Sequence, residues 1–152
     1  DEALNNGGDV TKAKQAYKTA VEQADGKLGT AKKDANDDTA AWEKIALLYA
    51  DQTDKIGTIQ ADIDELNGMT AEGNTTAKKS DIEAARERLQ DDIKKVTDVR
   101  GAEVSIATAT VNANETNADP EVGKMVDKLN DVIKTGTTDD IKKAVDNVNT
   151  AL

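Results

Sequence analysis

Cysteine, histidine and phenylalanine are absent from this 152-residue chain, and proline occurs once. Without His there is no Ser-His-Asp or Cys-His nucleophile pair, and without Cys and His there is no ordinary zinc, haem or iron–sulfur site. No disulfide can form, so stability is independent of redox state, while the compartment stays open. Aromatics are nearly missing as well: Trp42, Tyr17 and Tyr49 are the whole set, too few to wall a sugar cleft between two carboxylates. No apolar run reaches the roughly 18–20 residues of a spanning helix. The start Asp1-Glu2-Ala3-Leu4-Asn5-Asn6-Gly7-Gly8 resembles neither a signal nor a transit peptide, and the missing initiator Met suggests a processed or excised chain. Basic charge is also in deficit. Twenty Lys and Arg stand against 30 Asp and Glu, a net of −10, which repels nucleic-acid phosphates and anionic membranes. No nucleic-acid partner, no cofactor, no metal and no enzymatic activity are therefore expected.

What is present is helical spacing. Val10, Ala13, Tyr17, Ala20/Val21, Ala24, Leu28, Ala31 and Ala35 recur by threes and fours, with Asp9 as the expected N-cap after a flexible lead over 1–8. Gly26 and Gly29 weaken that helix by roughly 1 kcal/mol each relative to Ala. A broader stripe follows, with Trp42, Ile45, Leu48/Tyr49, Ile56, Ile59, Ile63 and Leu66. Between the two, residues 32–38 admit either a tight turn capped by Asp38 or one uninterrupted helical arm over 9–67. The arm should stop near Gly68, where 68–76 collects two glycines and several turn formers.

Ser80-Asp81-Ile82-Glu83 reads as a capping box that opens a return helix over 80–113, with Ile82, Ala85, Leu89, Ile93, Val96 and Val99 on its stripe. Residues 102–111 alternate as a strand would, yet no partner strand is evident, so the helix is expected to continue. Residues 112–119 should form a loop. Asp119-Pro120-Glu121 is a helix start, Gly136 a stop, and Thr137/Thr138 with Asp139-Asp140 a second start. Two short helices are thus expected over 119–152. The fold class is all-α: a single elongated antiparallel helical bundle, or coiled-coil hairpin, with two shorter C-terminal helices.

Candidate chemistry is sparse. Asp34, Asn36 and Asp38 match the opening ligands of an EF-hand loop, but Thr39 and Ile45 stand where its Gly and bidentate Glu belong. Asp62, Asp64, Glu65, Asp91, Asp92, Asp139 and Asp140 read as solvated faces and partners of helix N-termini. Lys78, Lys79, Arg86 and Arg88 form the one basic concentration and a conceivable partner patch. Asn74-Thr75-Thr76 and Asn114-Glu115-Thr116 fit the glycosylation sequon. Narrow apolar stripes favour association instead. The candidate interaction seam comprises Trp42, Ile45, Tyr49, Ile56, Ile59, Ile63, Leu66, Leu89, Ile93, Val148 and Leu152.

The run Val126-Asp127-Lys128-Leu129-Asn130-Asp131-Val132-Ile133-Lys134-Thr135-Gly136, followed by Ile141-Lys142-Lys143-Ala144-Val145 and Leu152, resembles secreted filament and translocator subunits of bacterial type III secretion systems. The resemblance implies a non-enzymatic, extracellular coiled-coil protein that polymerises or bridges an injection needle to a host membrane. The family's filament members carry a further long C-terminal helix after this motif. The expected function is accordingly that of a secreted or surface-exposed helical protein acting by protein–protein interaction or self-association. The alternative is a ligand-sensing helical bundle of a periplasmic receptor.

Overall fold

The structure, a computed structural model, describes residues 7–152, with side chains from Val10 onward. Five α-helices follow one another: α1 Gly7–Glu43, α2 Thr53–Thr70, α3 Lys79–Asn114, α4 Pro120–Thr135 and α5 Thr138–Ala151, with a 3-10 turn at Ala46–Tyr49. The chain is all-α, with no strand among the described residues; residues 102–111 lie within α3. The lead over 1–8 falls outside the described residues except for Gly7 and Gly8, which open α1. Asp9, expected as a cap, therefore sits inside the helix backbone.

Helix α1 runs unbroken through residues 36–38, and the chain turns later, over 44–52. No Gly or Pro marks that break. The turn brings the rings of Trp42 and Tyr49 into a stack with centroids 5.4 Å apart, and both are buried. On a continuous helix residues seven apart are displaced by about 10 Å along the axis, too far for two rings to stack. Three-residue hydrogen bonds, Ile45 to Trp42 and Leu48 to Ile45, each 2.9 Å, tighten the turn.

Helix α3, 36 residues long, is shared by two cores. Its first half contributes Ile82, Ala85, Leu89 and Val96 to a core with Ala31, Ala35, Trp42, Tyr49, Ile59, Ile63 and Leu66 of the preceding segments. Its second half contributes Ala107 and Val111 to a core with Val122, Val126, Leu129, Ile141, Ala144, Val145 and Val148 of α4 and α5. Polar contacts join the two regions. The Asp139 amide donates to Asp51 Oδ2 at 2.9 Å, and Gln52 Nε2 donates to Thr138 Oγ1 at 3.3 Å, so the turn after α1 closes on the start of α5. Arg100 Nη2 donates to the carbonyls of Ile133 (2.9 Å) and Gly136 (3.2 Å), taking up acceptors that the end of α4 leaves open.

Helix ends follow local chemistry in some places and not in others. Asp119 accepts from the Glu121 amide, with Pro120 in the first turn. Thr137 and Asp140 form a reciprocal capping box at α5. Ser80 and Glu83 form none: α3 begins at Lys79 with Lys78 as an uncapped N-cap, and the Ser80 hydroxyl donates to Asp81. Its loop is held instead by Asn74, whose Oδ1 accepts from the amides of Thr76 and Ala77 and whose Nδ2 donates to the Gly68 carbonyl. Helix α2 passes Gly68 and ends at Thr70; the turn glycine is Gly73, at φ +87°. Helix α3 likewise extends to Asn114, into the expected loop.

The Thr137 amide and hydroxyl, both donating to Asp140, hold that carboxyl below the usual range. This contribution is present above the unfolded Asp value and is lost as pH falls through the depressed folded value. Thr137→Ala is expected to cost about 1 kcal/mol in urea unfolding at pH 7, as a lost N-cap does. The deficit should narrow at acid pH; a pH-independent deficit would contradict the box.

Candidate interaction surface

The seam residues do not form one free face. Trp42, Tyr49, Ile59, Ile63, Leu66 and Leu89 are buried in the first core, and Val148 in the second. Ile45, Ile56 and Ile93 pack against the first core while half-buried, and Leu152 is exposed. Most of the seam is thus consumed inside the chain, because α3 packs against α1 and α2 and gives it an intramolecular partner.

The free apolar surface lies elsewhere. Every side chain from Thr11 to Lys27 on α1 is exposed, with Tyr17 75% and Val21 40% accessible. Their stripe continues into Leu28, which packs on the first core, and into buried Ala31 and Ala35. The arm before Leu28 therefore extends the very face by which α1 joins the molecule. Tyr17 and Val21 stood on the first stripe of the sequence; what the stripe does not show is that the packing helices stop short of them. Leu47 and Ile106 are further exposed apolar side chains.

The basic concentration is not a free patch either. Arg86 Nε binds Asp38 Oδ2 at 2.8 Å and its Nη1 lies 3.4 Å from Asp34. Gln90 Nε2 also donates to Asp38 at 2.8 Å. Two of the three EF-hand-like positions are thereby tied to an arginine across the α1/α3 boundary, and Asp38 foremost holds the Arg86 guanidinium charged. Arg88 pairs with Glu65 and lies 3.9 Å from Asp62. Lys79 pairs with Glu83 along α3. The sequon amides are engaged too, Asn74 as above and Asn114 with the Thr110 carbonyl at 3.0 Å. Among the described residues no group of three or more His, Cys, Asp or Glu could hold a metal ion, and no helix is long and apolar enough to cross a membrane.

Asp62 departs from the solvated-face reading. It is buried at 9% exposure, and its Oδ2 has no hydrogen-bond partner. Burial first, then the nearby charge of Asp92, push its carboxyl above the usual range, against the pull of Arg88. An acid with a raised folded pKa costs stability as pH climbs from its unfolded value through the folded one. Asp62→Asn, whose amide can donate to Asp92, is expected to stabilise the protein at pH 7 by about 1 kcal/mol and to give no gain near pH 3. A loss at pH 7 in a denaturant titration would refute this account.

A groove of about 290 Å³ opens between α1 and α3, lined by Asp38, Ala41, Trp42, Ile45, Gln90 and Ile93 among others. Its polar groups are occupied, since Asp38 already accepts from Arg86 and Gln90. No family model, curated protein or solved structure matches this chain.

Proposed function

We propose that the chain is a non-enzymatic helical protein, secreted or exposed at a cell surface, that acts through protein–protein interaction or self-association. The observation that carries this reading is the unpacked stripe of α1 between Thr11 and Lys27, an apolar helical face with no partner among the described residues. The arrangement we favour is an elongated antiparallel bundle whose α1–α2 segment and α3 form a coiled-coil hairpin, with α4 and α5 at one end. Support comes from the two cores strung along α3 and from the length of α1, 37 residues or about 55 Å. Carboxylates that could serve chemistry at the α1/α3 boundary are instead held by arginine.

A type III secretion filament or translocator component is the specific form of this reading that the sequence resemblance suggests. Light scattering over a hundredfold concentration range, with cross-linking, tests the interaction reading. A rise in mass or a captured protein partner is expected; a strict monomer that binds no protein would overturn it. Protease shaving of intact source cells tests exposure. The second reading, a periplasmic ligand sensor, has the groove beside Trp42 as its site; quenching or shift of Trp42 fluorescence by a small apolar ligand would favour it.

A further inference from the structure

We infer that the arm of α1 pairs with the same arm of a second copy of this chain, antiparallel and about a two-fold axis beside Ala20. The inference rests on the interaction reading above and names its occupant. An isolated helix of some 20 residues is marginal in water, and this one carries Gly26 and Gly29 with no atom near either. The exposed stripe of Ala13, Tyr17, Ala20, Val21 and Ala24 is small enough for close helix approach. It is also continuous with the packed face at Leu28, Ala31 and Ala35, so a second helix can extend a seam that α1 already uses.

Charge selects the partner and its direction. At 100° per residue, Lys14 and Asp25 fall on one flank of the stripe, Lys14 toward the N-terminus and Asp25 toward the body. Antiparallel pairing brings like flanks of two copies together with their order reversed. With Tyr17 opposite Val21 the axis falls at positions 19–20, and Lys14 lies beside Asp25. Parallel pairing would bring opposite flanks of the two arms together and leave Lys14 and Asp25 apart. A two-fold contact of this kind is self-limiting, giving a dimer and not a fibre.

The chain has no cysteine, so single cysteines report the register. With a short bismaleimide, Ala20→Cys should cross-link to itself. Ala13→Cys and Ala24→Cys should link poorly alone and efficiently when mixed. In sedimentation equilibrium Lys14→Glu should weaken the dimer about tenfold, and Lys14→Glu with Asp25→Lys should restore it. Because these side chains are exposed and touch no core, Trp42 fluorescence should be unchanged throughout. Equal self-linking at all three sites would establish parallel arms and overturn the proposal. Self-association without any arm cross-link would overturn it while leaving the interaction reading intact, and a strict monomer with no protein partner would remove both.

Discussion

Leu89→Ala is expected to lower the unfolding free energy by about 2–5 kcal/mol, the range for deleting a fully buried leucine. Leu89 is at 0% exposure and sits among Ile59, Ile63, Leu66, Ala85 and Val96, side chains drawn from both α2 and α3. The residue is central to the first core, and the helices around it are fixed at other points: Arg86 to Asp38 and Arg88 to Glu65. Trp42 belongs to the same core and is the only tryptophan, so its fluorescence in urea reads the change directly. Leu89→Met, which conserves volume, should lose less than about 1.5 kcal/mol. Leu47→Ala, at a side chain 85% exposed, should stay within about 0.5 kcal/mol. Equal losses at Leu89 and Leu47 would mean that the first core is not packed as described.

Gly136→Ala is expected to destabilise by about 1–3 kcal/mol through overpacking. The backbone there, at φ −79° and ψ 159°, suits any residue, so conformational freedom is not the reason. A Cβ would lie 2.7 Å from Val132 Cγ1 and 2.8 Å from the Val132 carbonyl oxygen. That oxygen accepts the hydrogen bond from the Gly136 amide which closes α4, at 2.8 Å, and the Gly136 carbonyl in turn receives Arg100. Neither backbone group can withdraw without giving up a bond. Adding Val132→Ala should relieve the side-chain clash and leave the carbonyl clash, so the double variant should recover part of the loss, with the two changes non-additive. Gly73 behaves oppositely. Nothing lies within 4 Å of its added Cβ, but its φ is +87°, and Gly73→Ala should cost about 1–2 kcal/mol from the backbone alone. No loss at Gly136 in a thermal or urea melt would show that the α4 end is looser than its geometry implies.

The helix content and several helix ends were legible because they rest on neighbours in sequence. The stripes of α2, α3, α4 and α5, the Asp119-Pro120 start, the Gly136 stop and the Thr137 start each need only residues three or four apart. The turn at 44–52 was not legible, since nothing local forbids helix there, and it comes where Trp42 and Tyr49 are buried in the first core with residues of α2 and α3. Ser80 shows the converse. Its box is well formed as a motif, but the loop ordered by Asn74 starts α3 earlier and leaves Ser80 inside the first turn.

By itself the sequence determined that the chain is helical, which faces of the helices are apolar, and that nucleophile pairs with His or Cys are unavailable. Only the tertiary structure decided which stripes find partners within the chain. The seam through Ile59, Leu66 and Leu89 is closed by the packing of α3 on α2, while the stripe through Tyr17 and Val21 is left open because neither helix reaches it. Only the tertiary structure decided the partners of the charges as well: Asp38 and Asp34 with Arg86, Asp51 with the start of α5, Asp62 buried beside Asp92. The physical reason is one of range. Helix propensity and capping act over one or two turns, whereas apolar burial and ion pairing depend on which segments meet, and residues 48 or 88 positions apart carry no local mark of meeting.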